Sequence, residues 1–439
     1  MRARTLIVAA ALVGAARVAS FQTPSPVVPE VRAAAPASQA TVTSLGSDPN
    51  GNPLRKALKT GHVSNYDEAK LPPYTLPDPL VLANGQRVRT ADTWLKQRRA
   101  EIVALYEADI FGRVPATAPK VTWEVGLTDP VARNGSAVMK RLVGHIGGNP
   151  GPKMNVTLYT PAKAVRPVPV ILIVNFGGGA AAVGRAANIP VGDPPVAAEI
   201  LDRGWGYATV GYEDIQPDRA SAWKEGVIGA SLAAGQDQPG PGEWGTISAW
   251  AWGVSRIVDY LETDKAIDPA RIALQGFSRL GKTVLWAAAK DQRIKAVFSA
   301  CGGEMGSALS RRDYGETVDD MAQNFPWWFA GAFQQWVGRW NDMPVDAHML
   351  IALSAPRPVF ITGGTGDQWA DPKGEFLAEV AAGPVYRLLG KRDLGVTEFP
   401  AVETPIVSGD LGFNYHTGPH QVQPIEWKTF LEFLGKYFT

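Results

Sequence analysis

The apolar positions of this chain change period along its length. At 93–111, Leu95, Ile102, Leu105, Tyr106 and Ile110 fall on one face of a 3.6-residue repeat after a candidate N-cap at Asp92 or Thr93, which predicts an amphipathic helix. The next three runs, 120–127, 137–146 and 154–159, alternate or are β-branched and are parted by Asn-Gly and Gly-rich turns. They read as consecutive antiparallel strands at a sheet edge. Farther on the runs become short and wholly apolar, at 169–175, 207–212, 271–275, 296–299 and 358–362, the composition of strands buried on both faces. Helical stretches at 247–261 and 280–290 separate some of them, and an amphipathic helix near 425–437 closes the chain. Repeated βα units after an antiparallel start predict a three-layer αβα sandwich around a mostly parallel central sheet.

Several segments stand outside this alternation. Residues 1–20 carry Arg2 and Arg4, then the apolar run 6–16, then small residues around Val18-Ala19-Ser20, which reads as a secretory signal peptide and a secreted or periplasmic destination. That run is too short to span a bilayer. Residues 21–60 are rich in Pro, Ala and Ser and read as a flexible tether ending in a strap, so the expected domain is a single one over 61–439. Within it, the Gly- and Pro-rich loop 230–242 and the long insertion 307–348, with its Trp327-Trp328 pair, are expected to build a cleft or lid over the strand ends.

Composition narrows the function. With 45% hydrophobic and 9% aromatic residues the chain can build a large core. Its 43 basic and 42 acidic residues leave a formal charge of +1, so no basic field is available for nucleic acid or an anionic membrane. The only cysteine, Cys301, excludes an internal disulfide and reads as a small buried hydrophobe. No metal-ligand spacing appears, and the chemistry expected needs no cofactor.

That chemistry centres on Ser278. The strand at 271–275 runs into Gly276, Ser278 and Gly281, and a helix-forming run follows at once. A strand, a tight turn around serine and a helix make a nucleophile elbow of the α/β-hydrolase kind, although Leu280 stands where a G-x-S-x-G motif has its second glycine. A serine nucleophile needs a base, and of the five histidines His416 and His420 lie ahead of the last helix. His420, in a Gly-Pro turn, is preferred. The orienting acid should follow the 358–362 strand, which offers Asp367 and Asp371; Asp367 is nearer the strand end and is chosen. The oxyanion donors are the backbone N–H of Arg279 and either its side chain or the glycine turn 176–179.

Around these residues the sequence resembles the glucuronoyl esterases of carbohydrate esterase family 15, bacterial type. Gly276-Phe-Ser278-Arg279-Leu-Gly281-Lys282 matches their G-x-S-R-x-G-K signature. Segments beginning at Glu107, Ser310, Asn324, Asp367 and Tyr415 agree in the same order, over roughly residue 60 to the C-terminus. The resemblance implies hydrolysis of 4-O-methyl-glucuronoyl esters between glucuronoxylan and lignin alcohols, with Arg279 holding the oxyanion and Lys282, Glu316 and Trp369 contacting the uronate. One departure concerns the acid: many members place a Glu after the strand that follows the nucleophile helix. Cys301 stands at that position here, and Glu304 comes three residues later. Two other readings are open at this point. A carbohydrate acetyl (xylan) esterase would use the same machinery, and a non-catalytic relative would bind saccharide on Trp327, Trp328 and Trp369.

Overall fold

The strand runs assemble largely where their hydrophobic patterns place them. A computed structural model describes residues 43–177 and 192–439; the leader read at 1–20 and most of the tether lie outside them. The segment 43–56 forms a hairpin of β1 (Thr43–Ser47) and β2 (Pro53–Lys56). The main sheet has nine strands: β3 (Val121–Val131), β4 (Ala137–Ile146), β5 (Lys153–Pro161), β6 (Val168–Asn175), β7 (Gly206–Gly211), β8 (Ile267–Phe277), β9 (Ala296–Ala300), β10 (Val359–Gly364) and β11 (Leu411–His416). Their spatial order is β11-β10-β9-β8-β6-β7-β5-β4-β3. The first three run antiparallel to their neighbours, and from β7 to β11 every pairing is parallel. This is the α/β-hydrolase arrangement.

Side-chain alternation divides the core in two. Val170, Leu172 and Val174 of β6 pack with the helices Arg99–Asp109, Thr246–Leu261, Arg279–Lys290 and Pro372–Leu388. Ile171 and Ile173 point the other way, toward the helices Ala197–Asp202 and Pro424–Gly435. Val297 and Phe298 of β9 divide between the two clusters in the same manner. A strand buried on both sides has no polar face to show, which is why these runs are uniformly apolar.

The first helix departs from its sequence reading. Thr90, not Asp92 or Thr93, caps it, accepting from the Thr93 N–H, and a π turn occupies Trp94–Arg98 before the α-helix resumes at Arg99. The wider turn shifts the face by one position. Trp94 is fully buried, while Leu95, expected inside, is 46% exposed. Trp94→Ala should therefore cost about 3–5 kcal/mol of stability, and Leu95→Ala should stay within about 0.5 kcal/mol. Denaturant titration of the two variants checks this, and equal losses would contradict the shifted face.

The two irregular segments also differ from each other. The loop 230–242 is largely exposed. The segment 307–348, expected to build a cleft or lid, is packed as short helices whose Trp328, Phe329 and Phe333 are buried in the main core.

Candidate active site

Parallel pairing brings the functional loops together. Phe277 pairs with Ala300, Ala300 with Thr362, and Gly364 with His416, so β8, β9, β10 and β11 end at one edge of the sheet. The residues that follow are Ser278, Cys301, the loop holding Asp367, and the loop holding His420. Ligand sites of open α/β sheets form at this carboxyl edge.

Ser278 joins β8 to the helix Arg279–Lys290 at φ 59° and ψ −127°, a conformation that costs a non-glycine residue about 1–3 kcal/mol. Its N–H donates to Ala300 O at 2.8 Å, and its side chain makes no cap to the helix. The flanking glycines are steric necessities. A Cβ on Gly276 would lie 2.2 Å from Leu280 O, and one on Gly281 would lie 2.9 Å from Ser299 Oγ. The tight approach thus falls at 281, and Leu280 is free to enter the core. As the first helical residue, Arg279 has a backbone N–H without an intrahelical acceptor, beside the positive end of the helix dipole.

The structure joins His420 and Asp367. His420 Nδ1 donates to Asp367 Oδ2 at 2.6 Å; Asp367 is buried, and the imidazole is about one-third exposed. The ring of His420 lies against Phe277, next to Ser278 in the chain, with centroids 4.6 Å apart. His416, the other candidate, is fully buried with Nδ1 2.8 Å from Glu426. Asp371 does the work of a cap: its Oδ1 accepts from Gly374 N–H at 2.9 Å and its Oδ2 from Arg312 at 2.8 Å. Glu304 is buried and accepts from Ser310 Oγ at 2.7 Å.

Cys301 is buried as expected, but its neighbours are not ordinary core. Its thiol, Asp367 and His420 offer donor atoms all within 4.8 Å of one another, a set with the types to hold a metal ion. Residues 301, 367 and 420 are too scattered for a metal-spacing signature, so the sequence carried no trace of this group. Burial first, and the Asp367 carboxylate next, push the thiol pKa up and oppose the thiolate a metal would need.

The residues expected at the sugar lie around this edge. Lys282 is buried and donates from Nζ to Gly302 O at 2.6 Å; desolvation lowers its pKa, and Glu316, Glu304 and Glu375 oppose that effect. Glu316 does not pair with the neighbouring arginines, since Arg311 takes Asp346 and Arg312 takes Asp371 and Glu68. It bonds instead to Trp369 through the backbone: its N–H donates to Trp369 O at 2.9 Å. Burial pushes Glu316 up to about 7, with Lys282 acting against the rise. Trp369 is half-buried, and the Arg55 guanidinium of β2 lies 4.4 Å above its ring. Of the turn 176–179, Gly177 N–H bonds Asn175 Oδ1 at 3.0 Å, and Gly178 and Gly179 lie outside the described residues.

Two features were not read from the sequence. Glu375 staples the loop after β9 to the helix Pro372–Leu388, accepting from Gly303 N–H at 2.9 Å and Ser307 Oγ at 2.6 Å. The other is Asp218, which bonds Arg279. Trp327 and Trp328 turn their indole N–H groups inward onto Asp218 at 2.8 and 2.7 Å. They are 8% and 3% exposed, so of the three tryptophans of the non-catalytic reading only Trp369 keeps an open side.

Fold and elbow together define an α/β-hydrolase. Comparison with known proteins narrows the class: the fungal glucuronyl esterase family model matches residues 240–390. The chain is 38% identical to carbohydrate esterase MZ0003 of an unidentified prokaryote, over 85% of this chain and 92% of that one. It is 30% identical to a 4-O-methyl-glucuronoyl methylesterase of Cerrena unicolor, over 75% of this chain and 64% of that protein. The solved glucuronoyl esterase from Solibacter usitatus superimposes with a TM-score of 0.78 at 40% identity, covering 84% of this chain and 100% of that one. The chain belongs to the glucuronoyl esterases of carbohydrate esterase family 15, and is a carboxylic ester hydrolase.

Proposed function

We propose that this enzyme hydrolyses 4-O-methyl-glucuronoyl esters linking glucuronoxylan to lignin alcohols, through a Ser278-His420-Asp367 triad and an acyl-enzyme. The observation that carries the reading is the 2.6 Å bond from His420 Nδ1 to Asp367, with the same imidazole packed on Phe277 beside the strained Ser278. Asp367 fixes the tautomer with the proton on Nδ1, which leaves Nε2 to accept the Ser278 proton as Oγ attacks the ester carbonyl. The carbonyl oxygen gains negative charge, met by the Arg279 backbone N–H and guanidinium. Protonated His420 then passes its proton to the departing alcohol, and water, deprotonated by the same imidazole, releases the uronic acid and Ser278.

The sugar contacts belong to this proposal too. Glu316 and Trp369 are bonded to each other beside the loop that carries Asp367, which suits a carboxylate accepting sugar hydroxyls and an indole edge or face against the ring. Lys282 lies one helical turn beyond Arg279, and two ammonium N–H groups remain beyond the one given to Gly302. The 1–20 leader supports export to the periplasm or outside the cell; among the described residues no helix is long and apolar enough to cross a membrane.

Substrate choice tests the reading against an acetyl esterase. Benzyl glucuronate should be turned over with a kcat/KM at least about 100-fold above that for acetylated xylan, because an acetyl group cannot use the uronate contacts. Glu316→Gln should narrow that ratio. A preference for acetylated xylan would overturn the uronate assignment and leave the esterase class standing.

A further inference from the structure

Four donors converge on one carboxylate that no sequence motif marks. Asp218 Oδ1 accepts from the indole N–H groups of Trp327 and Trp328, at 2.8 and 2.7 Å. Oδ2 accepts from the Arg279 guanidinium and, at 3.1 Å, from Tyr212 Oη. A carboxylate has about four acceptor positions, so these bonds use them all and leave the group no second orientation of equal energy. The side chain is 2% exposed. Burial alone would raise its pKa, but Arg279 and the two indoles outweigh that and hold it below the ordinary aspartate range. Arg279 therefore faces a carboxylate bonded on every side.

The guanidinium is confined from its other sides as well. Its centre lies 4.7 Å over the Trp328 ring and 5.7 Å from both Phe176 and Phe325. Its Nε–H, however, is buried with no partner. A buried N–H without an acceptor is costly, of the order of 1–3 kcal/mol, and a rigidly held cation with an unused donor matches what an oxyanion requires. We infer that Asp218 is a positioning residue for catalysis: it fixes the Arg279 guanidinium for the developing oxyanion, and Trp327 and Trp328 fix Asp218. On this account the 307–348 insertion contributes to the rate as a brace for the oxyanion arginine rather than as a lid. The inference rests on the proposed role of Arg279.

The test compares kcat and KM for benzyl glucuronate in Asp218→Asn, Arg279→Ala, the double variant and Trp327→Phe/Trp328→Phe, with thermal melting of each. Loss of one oxyanion donor lowers kcat by about 10²–10³-fold. Asp218→Asn should lose at least about tenfold in kcat with KM nearly unchanged, and should lose nothing further once Arg279 is Ala. The double Phe variant keeps the rings but removes both N–H donors, and it should fall in the same direction by a smaller factor. If Asp218→Asn lowered kcat equally with and without Arg279, or only in proportion to lost folded protein, the positioning role would be overturned. Arg279→Ala losing kcat while Asp218→Asn and the double Phe variant retain it would overturn this inference alone. An undiminished kcat in Arg279→Ala would overturn the oxyanion reading and this inference with it.

Discussion

Replacing Ser278 with Ala is expected to lower turnover of benzyl glucuronate by on the order of 10⁴- to 10⁶-fold while leaving the melting temperature within about 2 °C of the parent. The rate loss follows from chemistry: without Oγ no acyl-enzyme forms, and only water attack assisted by the oxyanion donors and binding remains. The unchanged stability follows from geometry. The Ser278 side chain caps nothing in the helix it precedes, and Ala retains the Cβ that makes φ 59° costly, so strain is neither added nor relieved. Circular dichroism and thermal melting separate loss of chemistry from loss of fold. Residual turnover above about one-tenth of the parent, with the fold intact, would remove Ser278 from its role.

How far this outcome is written in the sequence varies along the chain. Wherever local pattern and tertiary environment agree, the pattern is legible: β6 reads as wholly apolar because both faces are covered, and β4 alternates because only one is. The elbow is legible because Gly276 and Gly281 are sites where a side chain would strike backbone or a packed hydroxyl. The helix Pro372–Leu388 escapes such reading because Gly374, Gly383 and Pro384 look like breakers, yet Asp371 caps its start and Pro384 sits inside it. In β11, Gly412 and Asn414 interrupt the apolar run that marks the other parallel strands. Asp218 was out of reach for a different reason. Its partners lie at 212, 279, 327 and 328, and nothing local distinguishes a solvated aspartate from one fully bonded in the interior.

The acid is where residue order and family habit part, and Asp367→Ala against Glu304→Gln decides between them. Asp367 is buried, within 2.6 Å of His420 Nδ1, and placed by the turn that closes β10. Removing it leaves the imidazole free to rotate or take the wrong tautomer, and removes the anion that stabilises the imidazolium. The expected fall in kcat is about 10³–10⁴-fold, or roughly 4–5.5 kcal/mol of transition-state stabilisation. Glu304 is poorly suited to that work. Burial, with Asp346 and Glu316 nearby, raises its pKa despite the Ser310 hydroxyl, and its bond goes to Ser310 rather than to an imidazole. Glu and Gln differ little in shape and Gln keeps an acceptor for Ser310, so Glu304→Gln should change kcat by no more than about threefold. The contrast has a physical origin at Cys301. Where the resemblance leads one to expect a carboxylate, this chain carries a buried thiol beside Asp367 and His420. Two carboxylates sharing one imidazole would repel each other. Burial and Asp367 raise the thiol pKa and so disfavour a second anion there, and the carboxylate bonded to His420 is Asp367. A larger loss in Glu304→Gln than in Asp367→Ala would return the acid to the loop after β9 and leave the 2.6 Å pair without a catalytic purpose.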